Sequence, residues 1–279
     1  MPHYISRAPS NKAGEEFMRD PRSIIITGAS SGIGEALALE YAAPGIFLAL
    51  TGRDPARTEA VADACRAKGA DVMAATVDAA DADATARFVA AAHGHRPLDL
   101  AIANAGISAG TGAGGESAEQ AKRILAVNID GVLNTLFPAI DRMRAKSRAG
   151  GAPRGQVAIM SSLAGFRGFP GAPAYCASKA AVKVWGEALR GELHAEGIEV
   201  TVICPGYVRT PMTQHNRFRM PLIMSAERAA RICRRGLAAN RARIAFPWRF
   251  HFLVSLIAAA PPGWTDPLFR RLPKKEAGA

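Results

Sequence analysis

Two hydrophobic patterns alternate along this chain: short apolar runs and longer stretches with helical spacing. The first run, 23–27, is rich in β-branched residues and ends at a glycine, and residues 33–41 behind it have the periodicity of a helix. The cycle recurs, which predicts strand–helix units and a parallel sheet wrapped by helices. The predicted strands are 23–27, 46–50, 71–76, 98–103, 156–160, 199–203 and 243–246, and the predicted helices are 33–41, 56–67, 82–92, about 120–145 and 175–196.

The order of these elements predicts the fold class. Right-handed crossovers between parallel strands give an α/β, Rossmann-like, doubly wound sheet whose ligand crevice lies at the carboxyl ends of the strands. The length of 279 residues fits one large domain with a substantial core. We expect this domain at 22–247, with a lid at about 207–225. A flexible extension or cloning remnant at 1–21 would precede it, and a basic, apolar segment at 248–279 would follow.

Composition narrows the class of protein. Hydrophobic residues make up 49% of the chain and charged residues 21%, which is typical of a soluble globular protein. The cysteines form no C-x-x-C pair, so we predict neither a zinc site nor a disulfide framework, and we expect a reducing, cytoplasmic setting. No apolar run reaches the roughly 18 residues of a membrane-spanning helix, and the N-terminus lacks the apolar core of a secretory signal. The cysteines are Cys65, Cys176, Cys204 and Cys233.

A glycine-rich turn joins the first predicted strand to the first predicted helix. Thr27-Gly28-Ala29-Ser30-Ser31-Gly32-Ile33-Gly34 has the spacing G-x-x-x-G-x-G. Glycines there permit a tight turn and let backbone N–H groups and the helix N-terminus approach a diphosphate, while Gly34 lets helix and strand pack closely. The turn predicts a dinucleotide site formed by Gly28, Ser30, Ser31, Gly32, Ile33 and Gly34, with an ordinary glycine-rich turn as the alternative.

The end of the second predicted strand bears on which dinucleotide binds. An acidic side chain there would hold the free ribose 2′-OH of NAD. Gly52 occupies that place instead, and Arg53 follows it. A guanidinium is a bidentate partner for a 2′-phosphate, which favours NADP(H) over NAD(H). Asp54 argues in the other direction, and a solvated surface role for Arg53 is the alternative.

Three further residues suggest proton-transfer chemistry. Tyr175 and Lys179 begin a predicted helix, and a spacing of four places them on one face. A free tyrosine has a pKa of about 10, and a nearby ammonium favours the phenolate and lowers that pKa. Ser162 closes a strand at the same end of the sheet, where its hydroxyl can bond a substrate oxygen. Alone, each is more typical of a surface pair or a turn, but their order after the nucleotide turn favours a catalytic site.

Together these segments resemble the short-chain dehydrogenase/reductase family. The matching segments occur in the order typical of the family and cover residues of about 22–210. The resemblance implies hydride transfer between a nicotinamide cofactor and a carbonyl or alcohol, without a metal. The matching segments are Thr27 to Gly34, Asn104-Ala105-Gly106, Asn128, Ser162, Tyr175 with Lys179, and Cys204-Pro205-Gly206.

The resemblance also implies a role for each matched residue. Asn128 would hold a water that links Lys179 to solvent, and Ser162 would orient the carbonyl. Tyr175 would donate the proton, while Lys179 would bind the nicotinamide ribose and tune Tyr175. Asp78 would contact the adenine. The implied cofactor-binding residues are Asp78, Asn104, Ala105, Gly106, Tyr175, Lys179, Pro205, Gly206, Val208 and Thr210, in addition to the turn and Arg53.

The segment after Thr210 is where the resemblance places a substrate lid. Its apolar residues Met212, Phe218, Met220 and Met224 would line an adaptable pocket or simply pack on the core. We therefore expect an NADP(H)-dependent reductase of a lipophilic ketone or aldehyde, with a non-catalytic NADP-binding regulatory protein as the alternative. We also expect a homodimer or homotetramer built on the helices at about 120–145 and 175–196.

The excess positive charge lies in the C-terminal quarter. The net charge is +11, and residues 207–279 hold 14 Lys and Arg against 3 Asp and Glu. No nucleic-acid motif accompanies this charge, so we do not expect nucleic-acid binding. The segment 248–279 is too apolar for a free tail, and two interpretations stay open. Either it packs on the enzyme, or it lies peripherally on an anionic membrane, with Arg249, Arg270, Arg271, Lys274 and Lys275 facing lipid.

Overall fold

The computed structural model describes residues 18–111, 114–147, 152–214, 216, 218 and 220–269. Within them seven strands form one sheet in the order β3-β2-β1-β4-β5-β6-β7, and every neighbouring pair is parallel. The strands are β1 Ser23–Thr27, β2 Phe47–Gly52, β3 Asp71–Thr76, β4 Leu100–Ala103, β5 Gly155–Met160, β6 Ile198–Pro205 and β7 Arg243–Phe246.

Helices connect these strands, and four of them begin at a side-chain cap. Asp54, Asp81, Ser117 and Ser225 each accept a hydrogen bond from the backbone N–H three residues on, which satisfies a donor of the first turn. The helices are α1 Gly32–Tyr41, α2 Pro55–Ala67, α3 Ala82–His95, α4 Ala118–Leu125, α5 Gly131–Arg144, α6 Pro173–Leu193, α7 Pro211–Gln214, α8 Ala226–Ala238, α9 Trp248–Ala259 and α10 Pro262–Phe269.

The sheet has a packed core on each face. On one face Ile24, Ile26 and Leu50 lie under α1, α2 and α8, and on the other Ile25 and Phe47 lie under α3, α5 and α6. Because both faces are covered, the central strands are continuous apolar runs. The strand order reverses between β1 and β4, which places the ligand crevice at their carboxyl ends.

The predicted Rossmann-like fold class is confirmed. The predicted bounds of β1, β3 and β7 match the structure, and the other strands differ by a few residues. The long predicted helix at about 120–145 is α4 and α5 joined by a π-helical turn, Ala126–Asp130. The helix predicted at 175–196 begins earlier, at Pro173, because proline suits the first turn of a helix.

The two ends of the chain differ in how much the structure describes. Of the extension expected at 1–21, residues 1–17 lie outside the described residues. The backbone N–H of Met18 donates to the Glu199 carboxylate at 3.4 Å. The C-terminal segment forms α9 and α10 as far as Phe269. Arg270, Arg271, Lys274 and Lys275 lie outside the described residues.

One described helix is long and apolar enough to cross a membrane, although the sequence pattern predicted no such run. This helix is Ala118–Arg144, and half of its most apolar stretch is buried inside the fold. A core helix of a soluble protein passes the same test, and this stretch contributes Val132 and Leu136 to the core. The helix therefore carries no argument for a membrane span.

Candidate active site

A crevice of about 710 Å³ opens at the carboxyl ends of the strands. It brings together all but two of the residues that the sequence assigned to the site, and the exceptions are Gly34 and Asn128, which lie behind its wall. The assigned residues that line it are Gly28, Ser30, Ser31, Gly32, Ile33, Arg53, Asp78, Asn104, Ala105, Gly106, Ser162, Tyr175, Lys179, Pro205, Gly206, Val208 and Thr210.

The turn between β1 and α1 is held rigidly. Gly28 and Gly32 have φ angles of 66° and 64°, a left-handed conformation that favours glycine. A Cβ on Gly34 would lie 2.2 Å from the carbonyl oxygen of Gly28, so α1 packs directly on the turn. The Asn104 side chain donates to the carbonyl oxygens of Thr27 and Gly28 at 2.9 and 3.0 Å. The N-terminus of α1 therefore borders the crevice in a geometry that suits a diphosphate.

The end of β2 has no room for a side chain. A Cβ on Gly52 would lie 2.3 Å from Oγ1 of Thr58 and 2.7 Å from Cβ of Ser30. Real Cβ atoms do not approach other atoms this closely, so an aspartate or glutamate at this position would require the turn and α2 to move apart. The packing of the site thus excludes the carboxylate that would hold a free ribose 2′-OH.

The neighbouring carboxylate, Asp54, is committed to helix α2. Its side chain accepts from the backbone N–H of Arg57 at 3.0 Å and from Nε of Arg57 at 2.8 Å. The backbone hydrogen bond from Arg57 is the main reason that the pKa of Asp54 is lowered. Arg53 and Arg57 both line the crevice. Sequence reasoning missed Arg57, whose signal was its position three residues after a helix-capping aspartate.

Asp78 lies at the same end of the crevice, and its carboxylate already has partners. One oxygen accepts from the backbone N–H of Ala80 at 3.0 Å, and the other pairs with Arg123 at 2.6 Å. Burial opposes ionisation, but the hydrogen bonds from Arg123 and Ala80 hold the pKa of Asp78 below its usual value. An adenine amino group would have to share a carboxylate oxygen with one of these donors. The role of Asp78 toward an adenine stays a prediction.

Ser162, Tyr175 and Lys179 meet at the other end of the crevice. The Ser162 hydroxyl donates to the carbonyl of Pro205 at 3.4 Å and accepts from the N–H of Ala164 at 3.1 Å. Nζ of Lys179 donates to the carbonyl of Met160 at 2.8 Å and lies 5.9 Å from the centre of the Tyr175 ring. Because Tyr175 is in the first turn of α6 and Lys179 one turn later, the helix presents both to the crevice.

The pKa of Tyr175 is raised above its usual value in this structure, and the tuning of Tyr175 by Lys179 stays a prediction. Burial raises the pKa of Tyr175, and the hydrogen bond with Ser162 offsets this only in part. Burial also lowers the pKa of Lys179 to about 8, and its ammonium is directed to a backbone carbonyl. Tyr175 is therefore protonated at neutral pH, which is the form that can donate a proton to a developing alkoxide.

Asn128 supports the site from behind. It lies fully buried in the π-helical turn, where it accepts from the N–H of Ile107 at 2.8 Å and donates to the Ile107 carbonyl and Oγ of Ser178, each at 3.0 Å. A Cβ on Gly106 would lie 3.1 Å from its Oδ1 and 3.2 Å from Nζ of Lys179. The side chain of Asn128 thus positions the loop after β4 against α6, and its role in a proton relay stays a prediction.

The predicted lid divides into two parts. Pro211, Met212 and Thr213 of α7 line the crevice, whereas Met224 is buried in the core beneath α8. Phe218 packs edge-on against Tyr207, with ring centres 6.0 Å apart. Of the methionines proposed for an adaptable pocket, Met212 is therefore at the crevice and Met224 is not.

Helix α9 packs on the enzyme beside the crevice, which is one of the two interpretations left open for the segment 248–279. Phe250 stacks on Tyr207 with ring centres 5.7 Å apart, and a Cβ on Gly206 would lie 3.1 Å from the Phe250 ring. Beside the first turn of α6 lies a second cavity of about 570 Å³, lined largely by apolar residues that include Phe166, Cys176 and Phe269. The contact between Phe250 and Tyr207 and the lining of the second cavity both join segments distant in sequence, so only the folded chain brings them together.

The described residues offer no group of three or more His, Cys, Asp or Glu side chains placed to hold a metal ion. A donor set of this kind would need several such side chains converging within bonding distance. Among the described residues the crevice presents hydroxyls, amides, cations and the carboxylates of Asp54 and Asp78.

Comparison with known proteins places the chain in a family. A family model described as short chain dehydrogenase matches residues 22–220. The chain is 34% identical over 252 residues to an uncharacterized oxidoreductase from Myxococcus xanthus, which covers 90% of this chain and 97% of that protein. It is 30% identical over 256 residues to a 3-dehydrosphinganine reductase of Arabidopsis thaliana, covering 87% of this chain and 73% of that one.

Solved structures agree on the fold. A short-chain type dehydrogenase/reductase from Mycobacterium marinum superimposes with a TM-score of 0.69 at 26% identity, covering 80% of this chain and 92% of that one. A short chain dehydrogenase/reductase from Burkholderia phymatum in complex with NAD has a TM-score of 0.76 at 23% identity, covering 95% of this chain and 100% of that one. With the family match over residues 22–220, this chain belongs to the short-chain dehydrogenase/reductase family of nicotinamide-dependent oxidoreductases.

Proposed function

We propose that this protein is an NADP(H)-dependent reductase of a lipophilic ketone or aldehyde. The observation that carries the proposal is one crevice with the half-buried Tyr175 beside the buried Ser162 and Lys179 at one end and two arginines at the other. A nicotinamide dinucleotide bound along it supplies the hydride. Its diphosphate would lie at the N-terminus of α1, and its nicotinamide between Tyr175 and Pro205-Gly206.

The proton-transfer step follows from the protonation states of Tyr175 and Lys179. The Ser162 hydroxyl would orient the substrate oxygen, and Tyr175, protonated at neutral pH, would donate its proton to that oxygen as negative charge develops there. The Lys179 ammonium would stabilise the phenolate that remains. Burial lowers the pKa of Lys179 to about 8, so its charge is present at neutral pH and is lost in moderately alkaline solution.

The preference for NADP(H) rests on the end of β2. Packing leaves no room for an acidic side chain at Gly52, and the carboxylate of Asp54 caps α2 and binds Arg57. Arg53 lines this end of the crevice, and Arg57 beside it is paired with Asp54. A 2′-phosphate gains charge-assisted hydrogen bonds from guanidinium groups, whereas a bare 2′-OH does not.

A lipophilic substrate is supported by the walls near the proposed nicotinamide position. Met212 lines the crevice, and Phe250, stacked on Tyr207, lies against Gly206 of the crevice lining. The second cavity is lined by Phe166 and Phe269. The Arabidopsis relative is named as a 3-dehydrosphinganine reductase. We infer a ketone or aldehyde attached to an alkyl chain as the substrate class.

Initial rates of coenzyme oxidation test this function. NADPH and NADH would each be assayed with ketones and aldehydes of increasing alkyl length, with Tyr175→Phe as the inactive control. We expect NADPH to be preferred and kcat/KM to rise with chain length. Binding of NADPH without turnover on any carbonyl of the series would instead support the non-catalytic alternative.

We propose a homodimer or homotetramer built on α5 and α6. These helices expose Phe137 and Val184, which are 49% and 58% accessible, and the Phe137 and Trp185 rings lie 5.8 Å apart. Apolar side chains exposed on neighbouring helices are typical of subunit interfaces. Sedimentation velocity of the wild type and of Phe137→Ser tests the assembly, and a monomeric wild type at all concentrations would exclude it.

A further inference from the structure

Helices α9 and α10 expose large apolar side chains to solvent. Five of the ten large hydrophobic residues that the described chain exposes lie on these two helices. We call this set the C-terminal apolar surface: Trp248, Phe252, Leu253, Leu256 and Trp264, which are 70%, 67%, 49%, 61% and 80% exposed. Apolar side chains concentrated in this way mark an interaction site.

The opposite faces of the same helices are anchored to the enzyme. Val254 is buried, Phe250 stacks on Tyr207, and Phe269 packs edge-on against Phe169 with ring centres 5.5 Å apart. The C-terminal apolar surface is therefore held in a fixed orientation. On α9, residues 249, 252, 253 and 256 follow helical spacing, so its outward face is one continuous stripe.

Positive charge borders this stripe. Arg249 is exposed, and its guanidinium lies 5.4 Å from the centre of the Trp248 ring. Between Trp248 and Phe269 the single acidic residue is Asp266, which lies 3.9 Å from Arg167. The sequence just beyond α10 adds Arg270, Arg271, Lys274 and Lys275. Aromatic and aliphatic side chains beside cations are the composition of a peripheral lipid-binding helix.

We propose that α9 and α10 dock the enzyme on the surface of an anionic lipid membrane. The C-terminal apolar surface enters the headgroup region, and the adjoining cations face anionic lipid. Helix α9 has 12 residues and is about 18 Å long at 1.5 Å per residue. A bilayer core is about 30 Å thick, so this helix lies in the interface and does not span the membrane.

Charge decides between a membrane and a second copy of the chain as the occupant. A two-fold symmetric contact on this surface would bring together two copies of the segment 248–279, whose sequence holds more Lys and Arg than Asp and Glu, and like charges repel. Anionic lipid instead attracts this positive charge. The membrane is therefore the occupant that satisfies both the apolar side chains and the charge.

The position of the surface links docking to the proposed reaction. The inner face of α9 places Phe250 against Gly206, which lines the crevice, and α10 lines the second cavity with Phe269. A lipophilic substrate leaving the bilayer would thus meet the enzyme beside its crevice. This delivery role rests on the proposed function, whereas the docking itself does not.

Co-sedimentation with vesicles tests docking without coenzyme or substrate. The full chain would be mixed with vesicles of phosphatidylcholine alone or with added phosphatidylglycerol, at low and high salt. The test variant combines Trp248→Ser, Phe252→Ser and Leu256→Ser. The matched control is Leu222→Ser, which alters an exposed apolar residue elsewhere. Thermal unfolding of each variant verifies the fold, and Trp264→Ser tests α10 independently.

We expect the wild type and the control to pellet with phosphatidylglycerol-containing vesicles. Binding should fall at least tenfold in high salt, with phosphatidylcholine alone, or in the triple variant, and Trp264→Ser should also weaken it. Equal binding by the triple variant, or no binding by the wild type, would overturn the proposal. Loss of self-association in the triple variant, seen by sedimentation velocity without vesicles, would overturn it in favour of a subunit interface.

Activity separates docking from delivery. The triple variant should reduce a short, water-soluble ketone as fast as the wild type and should lose at least tenfold in kcat/KM for a long-chain ketone carried in the same vesicles. Vesicle binding without any ketone reduction would retain the docking and reject the proposed function. Equal rates of the wild type and the triple variant on the vesicle-borne ketone would retain docking and reject delivery.

Discussion

At the coenzyme crevice the backbone is so closely packed that a Cβ on Gly34 or Gly52 would lie 2.2 or 2.3 Å from a neighbouring atom. On the outer faces of α9 and α10, Trp248 and Trp264 are 70% and 80% exposed and contribute little to the core. In the first region the residue type is required by the fold itself. In the second region the fold does not require large apolar side chains, so their presence indicates that this surface binds something outside the chain.

The sharpest test of the crevice is removal of the proton donor. We expect Tyr175→Phe to lower kcat by about 1000-fold, or about 4 kcal/mol, because the variant has no transferable proton. NADPH affinity, measured by fluorescence titration, should stay nearly unchanged, since the hydroxyl is a small part of the coenzyme site. A variant that keeps more than about a tenth of kcat would remove Tyr175 from this role.

Substitution of two helical glycines, one closely packed and one with open space around its Cβ position, tests the packing argument directly. Gly34→Ala forces a Cβ against the carbonyl of Gly28, and we expect a loss of about 3 kcal/mol in the free energy of unfolding. In Gly191→Ala the new Cβ meets nothing within 4 Å, so helix propensity should stabilise the protein by up to about 1 kcal/mol. Urea unfolding measures both, and similar changes in the two variants would contradict the packing argument.

Coenzyme preference tests the basic end of the crevice. Arg53→Ala should weaken NADPH binding by about 1.5 to 3 kcal/mol and spare NADH, because one charge-assisted contact to the 2′-phosphate is lost. Arg66→Ala is the matched control, since Arg66 also lies on the β2–α2 side but pairs with Glu59 and Asp63 away from the crevice. Isothermal titration calorimetry measures the affinity of each variant for both coenzymes. Equal losses of affinity for NADPH and NADH would show that Arg53 is structural.

The raised pKa of Tyr175 sets the pH dependence. Below that pKa the phenol carries the proton that reduction consumes, so the reduction rate should not rise with pH. Alcohol oxidation needs the phenolate, whose fraction rises about tenfold per pH unit below the pKa, so kcat/KM for oxidation should rise with that slope. A flat oxidation profile through neutral pH would show that the bound coenzyme brings the pKa down to that range.

Local patterns in the sequence were enough for the architecture and for much of the site. Apolar periodicity predicted the parallel sheet, and glycine spacing located the turn between β1 and α1. The spacing of Tyr175 and Lys179 placed both on one helical face, and the structure brings them to the same crevice as Ser162. These features were accessible because each depends on residues within a few positions of one another.

Other properties depend on what covers a residue in the folded chain. Only the tertiary structure shows that the carboxylate of Asp54 is bound to Arg57, that Met224 is in the core while Met212 is at the crevice, and that burial raises the pKa of Tyr175. A pKa is governed by desolvation as well as by nearby charges, and desolvation comes from segments remote in sequence. The same holds for α9. Its sequence is apolar apart from Arg249, His251 and Ser255, and only its packing on Tyr207 decides which face is buried and which remains open to solvent.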